Sequence, residues 1–330
     1  MVVAGILGWR VLRAPRLFPW AWRTETRPAA YAEPGFTYLC TSARVEARRV
    51  RRVISGWFRR YPRCHQERLA RRFCSTDATS YVSSFFELYL HEICSRLGYR
   101  AEAFDSDVSA EKRPDFRLDD GNGSVFLEAT LATEAALLPS SKLKVMDDFI
   151  DELNRRLVSP SFFVHVQEKG SPGSAPRVRK CAKDLELWLS RLDPSEVAET
   201  YRTLGYAKLP SWDFEHDGWH IRFVAQARKL RLRGRAGVRV IGTRSRGGGV
   251  VDRVGAIRKS LKSKATRYGD LGAPYVIAVN VCDEHSVDES EFDDALFGGT
   301  EVRATGDSLW IGPEGPRNRR VSAVLAASYV

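Results

Sequence analysis

Lysine is missing from the first 73 residues of this chain, which carry sixteen arginines and only four acids, Glu25, Glu33, Glu46 and Glu67. That segment has a net charge of +12 within a total of +11, so everything after it is close to neutral. Such asymmetry points to a polyanionic partner. Arginine outnumbers lysine 41 to 11 throughout, so the choice of arginine also fits a GC-rich codon bias. Long apolar runs are missing too: none approaches the roughly 20 residues of a membrane-spanning helix, and no membrane partner is expected. The opening "MVVAGILGW" is too short for a secretory core. The acid-poor first 24 residues have the composition of an organellar transit peptide, but a disordered tail or an over-extended start is the expected reading.

The six cysteines, Cys40, Cys64, Cys74, Cys94, Cys181 and Cys282, form no CxxC pair and no zinc-knuckle spacing, which excludes a cysteine metal site. Scattered thiols without a secretion signal predict reduced residues and a cytoplasmic location. "RGGGVVDRVG" lacks the GK[ST] ending of a phosphate loop, the six histidines show no HExxH, and the serines show no GxSxG elbow. "FEHDGWH" at 214–220 reads as a surface turn, and "DEHSVDESEFDDALFG" as a solvated acidic loop entering a short helix.

Hydropathy patterning divides what is present. Residues 1–43 are proline-rich and read as an irregular, disordered arm. Residues 44–73 read as a basic amphipathic helix, ended by Pro62, with Val50, Val53, Ile54, Trp57 and Phe58 on its apolar face. Its outward arginines Arg48, Arg49, Arg51, Arg52, Arg59 and Arg60 are candidate contacts to a nucleic-acid backbone.

Residues 74–167 carry a helix from about 76 to 98 and a strand at "YRAEAF". Two further strands, "RPDFRL" and "SVFLEATL", flank the turn "DDGNG", a helix covers "SKLKVMDDFIDELNRRLV", and "SFFVHVQ" is a last strand. Residues 168–179 are a linker loop. Residues 180–330 predict an α/β extension packed on that core, with a helix at about 180–203, strands at "WHIRFVAQA" and "VRVIGT", a helix at 252–268 and the strand "PYVIAVNV". The fold class is α/β with a mixed sheet.

The hairpin "RPDFRLDDGNGSVFLEAT" contains two acids that β structure does not need. A two-residue turn at Gly121-Asn122 sets Asp115 opposite Glu128, and shifting it by one keeps both on the same face as Thr130. Two adjacent carboxylates repel unless a cation lies between them, and a hard divalent ion suits oxygen ligands. Glu87 falls about 100° round its helix from Phe86, just beyond the apolar stripe, where it can serve as a third carboxylate.

This arrangement resembles the PD-(D/E)XK, or restriction-endonuclease-like, nuclease superfamily, whose core runs α-β-β-β-α-β. The resemblance rests on Glu87, on "PD" at Pro114-Asp115 and on "EAT" at Glu128-Ala129-Thr130, and covers about 76–167. The "RPDF…EAT" run is also similar to runs in actinobacterial proteins. The superfamily likeness implies hydrolysis of phosphodiester bonds in DNA, with Mg²⁺ or Mn²⁺ held by Glu87, Asp115 and Glu128. It also implies a lysine where this chain has Thr130, which cannot carry positive charge.

Two lysines are candidate replacements with a catalytic role beside Asp115 and Glu128. Lys142, the better candidate of the two, shares the sheet-facing side of its helix. Lys264 begins a Lys-x-x-x-Tyr spacing with Tyr268, similar to the Gln-x-x-x-Tyr of some of these nucleases. The alternatives are an inactive member of the fold that binds nucleic acid or protein, and an interaction protein whose acid pair is a surface hairpin.

Overall fold

Asp77 begins the first long helix of the central unit by accepting a hydrogen bond from the Ser80 amide (2.7 Å), and Gly98, in a left-handed conformation (φ 93°), follows its end. In the computed structural model of the protein, residues 16–104, 113–132, 140–234, 239–246, 253–282, 288–299 and 308–328 are described. Their helices are α1 (Gly35–Thr41), α2 (Val45–Arg60), α3 (Arg63–Phe73), α4 (Ala78–Arg96), α5 (Ser140–Arg156), α6 (Val178–Leu189), α7 (Pro194–Leu204), α8 (Arg253–Ala265) and α9 (Glu289–Phe297). Their strands are β1 (Arg100–Ala103), β2 (Phe116–Asp119), β3 (Ser124–Ala132), β4 (Phe162–Gly170), β5 (Ser211–His216), β6 (Trp219–Ala227), β7 (Ile241–Arg246), β8 (Tyr275–Val281), β9 (Ile311–Gly312), β10 (Gly315–Pro316) and β11 (Val321–Ser328).

The chain is mixed α/β, with two principal sheets. The first has the order β1-β2-β3-β8-β11, antiparallel through β1, β2 and β3 and parallel from β3 through β8 to β11. The second has the order β5-β6-β4-β7. The helix and strand expected to complete the first sheet, α5 and β4, therefore belong elsewhere: β4 pairs with β6 and β7. Beside β3 lies β8 instead, preceded by α8, which packs on both strands. Both β4 and β8 are apolar runs after an amphipathic helix, so local pattern alone does not decide which one β3 pairs with.

Alternation along the strands gives the first sheet two apolar faces. Leu127 and Ala278 join the cluster formed with α1–α4, whereas Ala132, Ile277, Val279 and Val281 join the cluster formed with α8 and α9. A third cluster fills the space between the second sheet and α5, α6 and α7.

The N-terminal region differs from expectation in three ways. Leu17 and Phe18 are buried, Phe18 stacks on Phe36 (5.5 Å), and 35–41 is helical, so 16–43 is folded onto the core. Residues 1–15 of the expected arm lie outside the described residues. The basic helix is two helices, α2 and α3, parted at Tyr61-Pro62. Finally, α2 buries Ala47, Arg51, Ile54 and Phe58 and leaves Val50 and Val53 exposed. Arg51 faces inward because its Nη1 donates to the carbonyls of Leu39 (2.6 Å) and Ser42 (2.9 Å).

Further on, the expected helix at 180–203 is split at Asp193, whose carboxylate caps α7 and precedes Pro194 at its first position. "FEHDGWH" is the tip of the β5–β6 hairpin, with Asp217 and Gly218 at positive φ.

Candidate active site

The β2–β3 hairpin turns at Gly121-Asn122, where the Asp120 amide donates to the Gly123 carbonyl (3.3 Å), and Phe116 pairs with Leu127. Continued by one residue, that register brings Asp115 opposite Glu128. The Asp115 amide donates to Glu128 Oε2 (3.2 Å), and the Ala129 amide donates to Asp115 Oδ2 (2.8 Å). The two acids thus lie side by side within the sheet, as the turn predicted. Glu128 is only 1% exposed and Asp115 is half-buried.

Glu128 lies on the sheet face that α8 covers. A buried stripe of Ile257, Leu261 and Ala265 seats that helix. Four residues of helix rise about 6 Å, and two residues of strand about 6.6 Å. Ser260 and Lys264 therefore match Thr130 and Glu128 pair by pair. Ser260 Oγ meets Thr130 Oγ1 (2.8 Å), and Lys264 Nζ donates to Glu128 Oε1 (2.5 Å). Thr130 is bonded to a neighbouring hydroxyl, and the cation beside Glu128 comes from α8. Lys142 is elsewhere, donating to Ser171 Oγ (3.2 Å) in the loop after β4.

Two groups not singled out as site residues complete the Glu128 shell. Arg267 Nη1 donates to Oε1 (3.3 Å), and Tyr268 Oη donates to Oε2 (2.7 Å). Tyr268 was legible only as the end of the Lys264-x-x-x-Tyr268 spacing; Arg267 gave no signal. Burial, then the Glu128 charge, holds the Tyr268 phenol protonated.

Glu87 is buried on α4, as its place beside the apolar stripe allowed, and is held by groups the sequence did not flag. Tyr61 Oη donates to its Oε1 (2.6 Å), Arg72 Nη1 donates to its Oε2 (2.7 Å), and Arg68 Nη2 lies 3.6 Å from Oε1. Its charge still reaches Asp115. Burial, then the charges of Glu128 and Glu87, pushes the Asp115 carboxyl up to about 7, against the opposing Ala129 hydrogen bond and Lys264. Three acids therefore share one electrostatic neighbourhood, and two of them are compensated by cations of the chain.

The donor set fits a divalent cation at one point. Among the described residues only Oδ2 of Asp115 accepts a hydrogen bond, leaving Oδ1 available as an oxygen ligand beside Glu128. Both oxygens of Glu87 and of Glu128 already accept hydrogen bonds. No group of three or more His, Cys, Asp or Glu among the described residues is arranged to hold a metal ion.

Of the six candidate nucleic-acid arginines, Arg48, Arg49, Arg52, Arg59 and Arg60 are exposed. Arg51 is buried on its two carbonyls, and Arg60 donates to Glu92 (2.5 Å). No helix among the described residues is long and apolar enough to cross a membrane. Comparisons of the chain with protein-family models, with curated proteins and with solved structures find no match.

Proposed function

We propose that the chain is a metal-dependent nuclease that hydrolyses phosphodiester bonds in DNA, built on a divergent restriction-endonuclease-like core. The observation that carries this reading is the Lys264 ammonium 2.5 Å from Glu128, with Asp115 hydrogen-bonded alongside. It is supported by the order α4, β1, β2, β3, α8, β8 within the first sheet, in which the resemblance's second helix is α8. Lys264 then takes the role of the motif lysine from a helix instead of from the strand.

Asp115 and Glu128 would hold Mg²⁺ or Mn²⁺, with Glu87 contributing negative charge from behind its arginine and tyrosine partners. When bound, the ion supplies charge neutralisation at the phosphate and a more acidic water. Lys264 holds Glu128 in place, and offsets negative charge as the phosphate approaches. Tyr268 and Arg267 fix the same carboxylate, so its position is set before substrate arrives.

A second reading is a non-catalytic protein of this fold that binds nucleic acid. It is favoured by the four donors on Glu128, which leave that acid neutralised without a metal. Calorimetric titration of Mn²⁺ separates the two. Binding by the native chain, lost in Asp115→Asn, together with DNA cleavage that Glu128→Ala abolishes, supports the nuclease. Absence of cation binding, or equal cleavage by both proteins, overturns it.

A further inference from the structure

Trp20 and Trp22 are 80% and 90% exposed, although indoles of this size are ordinarily buried. Their rings meet edge to face, with centroids 6.4 Å apart, so the two indoles form one exposed aromatic patch. The segment that carries them is fixed at both ends. Leu17 and Phe18 are buried ahead of it, and the Glu25 carbonyl accepts from the Ala43 amide (2.7 Å) behind it. Arg23 curls the middle by donating to the carbonyls of Pro19 (2.8 Å) and Ala21 (2.9 Å).

The indoles border an open hollow of about 550 Å³ whose other walls carry Arg16, Arg23, Arg48, Arg51 and Arg52 and, among the described residues, no acid. Arg16, Arg48 and Arg52 are exposed, while Arg51 ties α2 to the floor. Exposed flat aromatic faces beside unopposed guanidinium groups suit a strand whose bases are free to stack and whose phosphates need counter-charge. In a duplex the base faces are already covered.

We infer that this hollow binds an unpaired polynucleotide strand, with bases on Trp20 and Trp22 and phosphates on Arg16, Arg48 and Arg52. This assignment rests on the nucleic-acid partner proposed above and not on the hydrolysis. Tyr61, which follows the last residue of α2, donates to Glu87, so one helix joins the hollow to the acid site.

The test is equilibrium binding of labelled oligothymidine, oligouridine and a duplex by the full chain in chelator. Trp20→Ala/Trp22→Ala is expected to weaken single-strand binding at least about tenfold and leave duplex binding unchanged, while Trp20→Phe/Trp22→Phe restores most of it. Arg48→Gln/Arg52→Gln is expected to lower the single-strand salt slope by about 1.4. The thymidine and uridine arms tell DNA from RNA as the source of the strand. Unchanged single-strand affinity in the alanine pair, an equal loss for duplex, or no single-strand binding by the native chain overturns the assignment. Hydrolysis without indole-dependent binding removes the hollow alone, and indole-dependent binding without hydrolysis removes the nuclease alone.

Discussion

Lys264 and Glu128, 136 positions apart in sequence, meet through Nζ and Oε1 at 2.5 Å. The contact joins α8 to β3 and sets a cation beside a carboxylate pair that would otherwise repel.

Replacing Lys264 by methionine keeps the buried stem and removes the charge, leaving Glu128 with Arg267 and Tyr268. A loss of about 1–3 kcal/mol in unfolding free energy is expected from urea titration. Lys142→Met, which among the described residues removes a bond to Ser171, is expected to stay within about 0.5 kcal/mol.

Asp115 gives the protein a pH dependence of unusual sign. Its folded carboxyl is raised to about 7 from an ordinary value of 3.8, so between those limits the folded state holds a proton the unfolded chain has released. This contribution is fully present below about pH 4 and is lost as pH rises through 7. Thermal melts from pH 5 to 8 are expected to show native stability falling relative to Asp115→Asn, whose amide cannot titrate. Mg²⁺ is expected to reverse the difference at pH 8, because a cation favours the ionised acid.

The phenol of Tyr61 is fully buried and donates to Glu87 Oε1. Tyr61→Phe keeps the ring contacts with His91 (5.0 Å) and Phe116 (6.5 Å) and removes one hydrogen bond to a charged acceptor. Its cost is expected to be about 1.5–3 kcal/mol by chemical denaturation. A neutral outcome would mean that Arg68 and Arg72 suffice.

In the other sheet, Arg244 is buried between Glu168 and Asp147 and lies over the Tyr31 ring (5.4 Å). Arg244→Met strands Glu168, itself 2% exposed, and is expected to cost about 3–5 kcal/mol. Because Tyr31 and Ala32 also donate to Asp151, proteolysis near residue 31 is expected to rise only modestly.

The sequence revealed the α-β-β-β start and the acid pair because both are local. Turn chemistry at Gly121-Asn122 fixes parity, and parity fixes the face. The closing elements were not legible, since α5 and β4 lie nearer in the chain and carry the same pattern as α8 and β8. The inward turn of Arg51 was also hidden: charge reads as solvent-facing, and only the unmet carbonyls of Leu39 and Ser42 explain its burial. Glu87 could be placed beside the core from helical spacing, but Arg68, Arg72 and Tyr61 reach it from elements whose packing spacing does not reveal.

The most direct test of the central claim is cleavage of end-labelled DNA by the purified full chain in Mg²⁺ and in EDTA, alongside Lys264→Ala and Lys142→Ala. The account predicts Mg²⁺-dependent cleavage by the native protein and Lys142→Ala, and at least a hundredfold loss, on the order of 2.7 kcal/mol in barrier, in Lys264→Ala. Cleavage undiminished in Lys264→Ala, or no cleavage by the native chain, would contradict it.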